Sequence, residues 1–310
     1  VMRPPIAGSA RTDEALRHAL GETVLAGLAD PEVVEVLVNP DGCIIFDRLG
    51  SGRSDTGRRL SYEARERVIR LVADHMGLSI TAQTPRLSGV LPTGVERFQG
   101  LAPPIVAAPT FAIRKRPAVI WTLEDYVREG ALGASDADQL RAAAADRLNI
   151  LICGGTGSGK TTLANALLAE PAFAADRVVM IQDTPELQCS AWDQAALLTR
   201  PEPHPVGIAE LVRDVLRLRP DRIIIGEMRD GAAALETLKA WNTGHPGGLS
   251  TVHANSAQEA LHRLEDLLAE VTAAPQHRLI AHTVDLIVPI RRTIMGREIG
   301  PLLSPRQTTP

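Results

Sequence analysis

The chain reads as an α/β protein in which a domain built on a mostly parallel sheet follows a smaller α+β domain. Three observations carry this reading. From Asn149 onward apolar strands alternate with helical stretches, the strands falling at 149–153, 177–182, 221–226, 248–253 and 284–290. Such alternation puts a parallel sheet between two layers of helices. The first of these strands runs into a glycine-rich loop and then a helix. Before Pro117 the pattern is different, with short strands, tight turns and amphipathic helices. The expected division is a first domain over 1–117, a linker over 118–133 and a second domain over 134–310. At 310 residues the chain suits two domains of ordinary size.

In the first domain, Leu16, Leu20, Val24 and Leu28 recur at helical spacing within 13–28. This mixed-charge helix suits packing on its own domain or a neighbour better than contact with a membrane. Strands are expected at 33–38 and 43–47, turning at Pro40-Asp41-Gly42. Ser61 caps a helix to Met76, with Gly77 as its stop. A hairpin over 87–91 and 96–101 turns around Pro92-Thr93-Gly94, and 105–114 completes the β-rich part. Ser135 and Asp138 read as a capping pair for a helix through Arg147, and Ser256 and Glu259 as a capping box. Leu261, Leu264, Leu267 and Leu268 then form the inner face of the following helix. The tail from Ser304 to Pro310 is expected to fray.

Composition narrows the function classes. Apolar residues make up 45% of the chain and aromatics 3%, so aliphatic side chains must fill the cores. The net charge of −4 and the few aromatics provide neither a phosphate track nor stacking platforms, so direct nucleic-acid binding is not expected. Cys43, Cys153 and Cys189 lie far apart and form neither a disulfide framework nor a zinc ribbon, which fits a reducing cytoplasm. No apolar run reaches the ~18 residues of a membrane span, and the start lacks the apolar segment of a signal peptide.

The chemistry concentrates at Gly154-Gly155-Thr156-Gly157-Ser158-Gly159-Lys160-Thr161, which matches G-x-x-x-x-G-K-[ST] in full. The glycines let backbone N–H groups turn inward onto phosphate oxygens, Lys160 adds charge at the β- and γ-phosphates, and the Thr161 hydroxyl can ligate Mg²⁺. Gly155 through Thr162 are therefore the candidate phosphate-binding residues. Asn149 to Cys153 reads as the buried strand entering the loop and Thr162 to Leu168 as the helix leaving it. Further strands end in Glu227, in Asp183 with Glu186 close behind, and in His253. In a parallel sheet these carboxyl ends share one edge with the loop. One carboxylate can take a proton from water while another serves the metal. Glu227 is the candidate for Mg²⁺, with Thr161, and His253 for contact with the γ-phosphate. The rival readings are a turn cap for Asp183, a solvated charge for Glu186 and a core position for His253. Arg229 either serves phosphate or pairs with a nearby acid, and His245 is given no role.

Taken in order, the phosphate-binding loop, Asp183-Thr184-Pro185-Glu186, Gly226-Glu227-Met228-Arg229-Asp230 and Thr251-Val252-His253-Ala254-Asn255-Ser256 resemble the Walker A, Asp box, Walker B and His box of the type II/IV secretion ATPase superfamily. Four further segments resemble its conjugal-transfer, TrbB-like branch: Arg86 to Pro92, Phe98 to Pro104, Leu216 to Arg222 and Asn242 to Gly247. The resemblance covers about residues 12 to 300. It implies a RecA-like P-loop ATPase domain after a PAS-like N-terminal domain, and a homo-hexameric ring of two tiers. ATP would bind between the domains of one chain, completed by a neighbour, with Mg²⁺ as cofactor. It implies Lys160, Glu186, Glu227, His253 and Arg114 as catalytic residues, with Asp183 at the nucleotide and Arg97 and Arg86 as weaker candidates there, whose rival reading is hairpin surface charge.

By the same resemblance the partners are inner-membrane components of a type IV secretion or conjugation machine, and the chain sits in the cytoplasm, peripheral at the inner membrane face. Two departures stand out. Gln182 occupies a position where relatives often carry Glu, and the four-cysteine zinc module of type II secretion and pilus motors is missing, so no zinc is expected. The implied function is ATP hydrolysis powering conjugal DNA transfer. The alternatives are a pilus assembly or retraction motor, a RecA-fold nucleic-acid translocase, and a scaffold that binds ATP without hydrolysing it.

Overall fold

The computed structural model describes residues 9–92, 96–116, 120–200, 204–294 and 296–305, with side chains from residue 12 on. The chain divides into two compact units, Val1–Ala118 and Val119–Pro310. The expected hairpin tip at Thr93-Gly94, the start of the chain and the tail beyond Pro305 lie outside the described residues.

The first unit runs α1 (Ser9–Ala29), β1 (Val33–Val38), β2 (Cys43–Arg48), β3 (Gly52–Arg59), α2 (Tyr62–His75), β4 (Arg86–Val90), β5 (Arg97–Leu101) and β6 (Thr110–Arg114). Its antiparallel sheet has the order β3-β2-β1-β6-β5-β4. Leu16, Leu20 and Val24 of α1 join Val68, Ile69 and Val72 of α2 and Val36, Phe98 and Ile113 of the sheet in one core. The leucine stripe of α1 is thus spent on its own unit. Gly27 allows the approach, because a Cβ there would fall 2.5 Å from the Phe46 ring. The helical spacing over 13–28 spans a break, since Gly21 has φ 73° and ψ 165°. Ser61 caps α2 as expected, accepting from Ala64 N at 3.2 Å. Strand β3 escaped the sequence reading because its polar, glycine-punctuated sequence has no apolar face; it forms by pairing with β2 at the sheet edge.

The second unit continues with α3 (Leu123–Arg128), α4 (Ala134–Ala145), β7 (Ile150–Cys153), α5 (Lys160–Leu168), β8 (Arg177–Gln182), β9 (Asp193–Leu198), α6 (Ile208–Val215), β10 (Arg222–Ile225), α7 (Gly231–Asn242), β11 (Leu249–Val252), α8 (Ala257–Ala269), α9 (His277–Thr283), β12 (Leu286–Thr293) and β13 (Gly296–Ile299). Its sheet has the order β13-β12-β7-β11-β10-β8-β9 and is parallel except for β13. Ile150 and Ile152 face the core shared with α3, α4 and α5, whereas Leu151 and Cys153 face that of α6, α7, α8 and α9. Both faces are covered, so β7 and most of β8 and β10 read as apolar runs. This is the expected mostly parallel sheet between helices.

Two expectations are corrected here. The stretch 118–133 is no mere linker: it carries α3, closed by a capping box between Thr122 and Asp125, and it buries Leu123, Tyr126 and Leu132 in the core. The Ser135–Asp138 pair does not cap α4. That helix starts two residues earlier than a Ser135 cap would set it, with Gly133 as N-cap and no side-chain cap. The Ser256 cap of α8 holds, but Glu259 reaches Asn255 N, not Ser256 N, closing a turn one residue wider.

Candidate functional site

Strand β7 is buried at every residue and delivers the chain to the glycine-rich loop. Gly157 and Gly159 there have φ of +71° and +105°, a region in which a side chain would be strained. Gly159 caps α5, whose first N–H groups have no acceptor within the helix and are donors for an anion. Lys160 curls back. Its Nζ donates to Gly154 O at 3.0 Å and Gly155 O at 3.3 Å, and stands 3.7 Å from Glu227 Oε1. Ser158 Oγ is buried in the loop without a hydrogen-bond partner.

From Lys160 a row of alternating charge crosses the carboxyl edge of the sheet. Glu227 follows β10, and its Oε2 accepts from Arg229 Nε at 2.7 Å. Arg229 also pairs with Asp183 Oδ2 at 2.9 Å, and Asp183 Oδ1 accepts from Thr199 Oγ1 at 2.9 Å. Of the readings for Arg229 the structure therefore shows the acid partner. Burial alone would lower the Arg229 pKa; the hydrogen bond to Glu227 and the charges of Glu227, Asp183 and Glu186 outweigh it and raise the pKa. Asp183 spends its oxygens on Arg229 and Thr199, which does not match the turn-cap reading.

Glu186 is placed by two residues whose part the sequence reading missed. Gln182, 3% exposed at the end of β8, accepts from Glu186 N at 2.9 Å and Leu187 N at 2.8 Å. An amide oxygen suits this task, and the residue braces the loop that carries Glu186. Asn165, 4% exposed on α5, donates through Nδ2 to Glu186 O at 3.0 Å and accepts from Gln188 N at 2.9 Å. The helix that leaves the phosphate-binding loop is thereby clamped to the loop that carries Glu186. The available signal was an asparagine in the otherwise apolar run Leu163-Ala164-Asn165-Ala166-Leu167-Leu168. Buried polar groups in such runs are there to be paired.

His253, just after β11, shares a 2.8 Å hydrogen bond between its Nε2 and Thr156 Oγ1. It faces the loop, as the sensing role requires and the core reading does not. Arg97 and Arg114 belong to the first unit, where they are direct cross-strand partners on β5 and β6. The sheet thus gathers two guanidinium groups on one face. Arg86 lies at the far end of the β4–β5 pairing, opposite Leu101.

The donors near Lys160 also fit a hard divalent cation. Thr161 and Glu227 offer a hydroxyl and a carboxylate, the ligand types of Mg²⁺. The Glu227 carboxylate already faces a cation in the Lys160 ammonium. The edge therefore combines an anion-binding helix start, the positive charge of Lys160, metal-type oxygens and a carboxylate loop, the parts needed to move a phosphoryl group to water.

Comparison with known proteins agrees with this geometry. Residues 86–295 match the family described as type II/IV secretion system protein. The chain is 48% identical to the probable conjugal transfer protein TrbB of Sinorhizobium fredii, over 93% of this chain and 88% of that one. Among solved structures it is similar to the VirB11 ATPase of the Brucella suis type IV secretion system in complex with sulphate, at 27% identity and a TM-score of 0.51 over 98% of each chain. It shares its fold with the pilus retraction motor PilT with bound ADP, at 20% identity and a TM-score of 0.67, over 91% of this chain and 82% of that one. The chain belongs to the type II/IV secretion ATPase family, in its TrbB-like conjugal-transfer branch.

Proposed function

We propose that this chain hydrolyses ATP with Mg²⁺ as a homo-hexameric ring and powers a type IV secretion machine for conjugal DNA transfer. The observation that carries the reading is the charged row from Lys160 through Glu227 and Arg229 to Asp183, set along the edge that bears the phosphate-binding loop. A scaffold that only holds ATP has no use for carboxylates so placed. The pilus-motor reading rests on a 20% likeness, which speaks for fold alone, whereas the 48% identity is to a conjugal-transfer protein. The ring partners are further copies of this chain and inner-membrane components of the machine, with the protein peripheral at the cytoplasmic face.

In the proposed reaction water attacks the γ-phosphorus, the bond to the β–γ bridging oxygen breaks, and ADP and phosphate leave. Glu186, on the loop braced by Gln182 and Asn165, takes the proton from water. Lys160 exchanges its carbonyl acceptors for phosphate oxygens, which bear more charge and so bind the ammonium more strongly. Mg²⁺, held by Thr161 and through Glu227, would neutralise charge on the phosphates. His253, through Thr156, reads the γ-phosphate. Arg97 and Arg114 are further proposed donors to nucleotide phosphates, because a planar guanidinium offers several N–H groups to developing charge.

The test is ATP turnover with Mg²⁺ by protein sized by light scattering, beside Lys160→Ala and Glu227→Gln. The expected result is turnover in a ring-sized species, reduced about 10²- to 10³-fold in both variants, the size seen when a charge-stabilising donor is removed. ATP binding without any turnover in a well-formed ring would favour the scaffold. Strong stimulation by single-stranded DNA at moderate salt would favour the translocase.

A further inference from the structure

The β12–β13 hairpin stands beside the phosphate-binding loop on the side away from the hydrolytic groups. In the sheet, β7 has β11 on one side and β12 on the other. His253, Glu227 and Asp183 all follow strands on the β11 side. The last pair of β12 with β7 is Pro289 with Cys153, and from Ile290 on β12 pairs only with β13. The hairpin therefore projects past the carboxyl edge, where the loop lies.

Its inner face carries two arginines. Ile290 pairs with Ile299 and Arg292 with Arg297, so these four share a face, and the intervening pair, Arg291 with Glu298, takes the other. That outer pair is complementary, with bonds of 3.1 and 2.7 Å. The inner pair is not: like charges sit directly opposite one another, which is unfavourable in a sheet. Among the described residues neither guanidinium has a hydrogen bond or ion pair. The Arg297 side chain lies on the loop itself. A Cβ at Gly159 would fall 2.7 Å from Arg297 Nε and 3.0 Å from its Cδ, with Ile290 Cδ1 at 3.5 Å. Two unpaired, mutually repelling guanidinium groups beside an anion-binding helix start lack only their anion.

We propose that this hairpin is the second wall of the nucleotide site, with Arg297, supported by the charge of Arg292, donating to the α-phosphate end of a nucleoside di- or triphosphate. The inference rests on the nucleotide-binding reading above. Three phosphates laid across the loop with the γ-phosphate among Lys160, Glu227 and His253 run toward β12 at the other end. Arg297 therefore contacts the part common to ADP and ATP, and it holds the nucleotide without taking part in the chemistry. The lack of a side chain at Gly159 is then needed twice, for its backbone conformation and for the arginine that crosses it.

The experiment is equilibrium binding of ADP and of a non-hydrolysable ATP analogue to the full chain, as wild type, Arg297→Ala, Arg297→Lys and Arg291→Ala. Arg297→Ala should weaken both nucleotides alike by about 10- to 100-fold, as expected for a lost hydrogen bond between charged partners. Arg297→Lys should recover part of the loss, and Arg291→Ala, on the outer face, should bind as wild type does. Wild-type affinity for ADP in Arg297→Ala overturns the inference and leaves the nucleotide reading intact. A loss confined to the ATP analogue overturns the placement, because Arg297 would then face the γ-phosphate. Failure of the wild type to bind either nucleotide sinks both readings.

Discussion

Two neighbouring strands of the parallel sheet carry an arginine–aspartate pair at each end, and the two pairs are built for different ends. Asp176 and Arg222 precede β8 and open β10; Asp183 and Arg229 follow the same strands. At the amino end the Asp176–Arg222 pair is closed, at 10% and 2% exposure. Arg222, side chain 2% exposed, reaches Asp176 Oδ2 at 2.5 Å, Ala144 O at 2.9 Å and Ala172 O at 3.0 Å, and stacks 4.4 Å over the Phe173 ring. The other oxygen of Asp176 takes Arg147. At the carboxyl end Arg229 is 51% exposed, and one of its two acids, Glu227, answers to Lys160 as well. A charge whose bonds are all buried holds a fold. A charge whose bonds are exposed and exchangeable is free to meet a ligand.

The same substitution at the two ends tests this. Asp176→Ala leaves Arg222 buried without its counter-charge and should cost about 3–5 kcal/mol of folding stability. The measurement is the denaturant midpoint at constant slope. Asp183→Ala removes a partly exposed pair and should cost under about 1 kcal/mol. Its effect should appear in turnover, about tenfold down as Arg229 and Glu227 lose their alignment. Equal stability losses at both ends would break the comparison.

Next in size is the brace. Gln182→Leu keeps the volume but takes one acceptor from the N–H groups of Leu187 and of Glu186, which also donates to Thr184 O at 2.8 Å. It should cost about 0.5–1.5 kcal/mol for each hydrogen bond lost. Because the same bonds aim Glu186, kcat should fall further than affinity for ATP. A variant that loses stability but keeps kcat would show that Glu186 is positioned by something else, with the Asn165 clamp as the first candidate.

The contrast between closed and open polar groups also explains what the sequence disclosed. Ile150 to Cys153 and the Val178 to Ile181 stretch of β8 are legible because strands buried on both faces are largely apolar. Strand β9 is not: Asp193-Gln194-Ala195-Ala196 has weak strand character and exists as the edge partner of β8. Strand β13, four residues long, exists by pairing with β12. Helix α3 hides in a stretch that reads as a linker because its burial comes from tertiary contact with the core of α4 and α5. At the site, Lys160 announces itself through the glycine-rich motif, and Glu227 and His253 through their positions at strand ends. Gln182, Asn165 and Arg297 do not, because their roles consist of bonds and contacts to residues distant along the chain. Spacing encodes which strand end a group occupies; it does not encode which amide braces which loop.

The smallest expected effect is an absence of reaction, at the thiol just before the phosphate-binding loop. Cys153 is 0% exposed, and burial pushes its pKa up to about 12 from the usual 9.0; nearby Lys160 opposes the rise without cancelling it. A raised thiol pKa means that the folded chain resists ionisation. This penalty for folding is therefore not felt below about pH 9 and grows only as pH rises from there toward 12. At mildly alkaline pH the reactive thiolate is scarce as well as covered. Alkylation of the native protein followed by peptide mass mapping should leave Cys153 unlabelled until denaturant is added. Cys189, whose pKa burial also raises but which is only half-buried, should label first. Labelling of Cys153 at the denatured rate would mean that β7 opens readily. The loop would then hang from a strand too loose to preset its N–H groups, and the division between a rigid frame and an exchangeable edge would fail where it matters most.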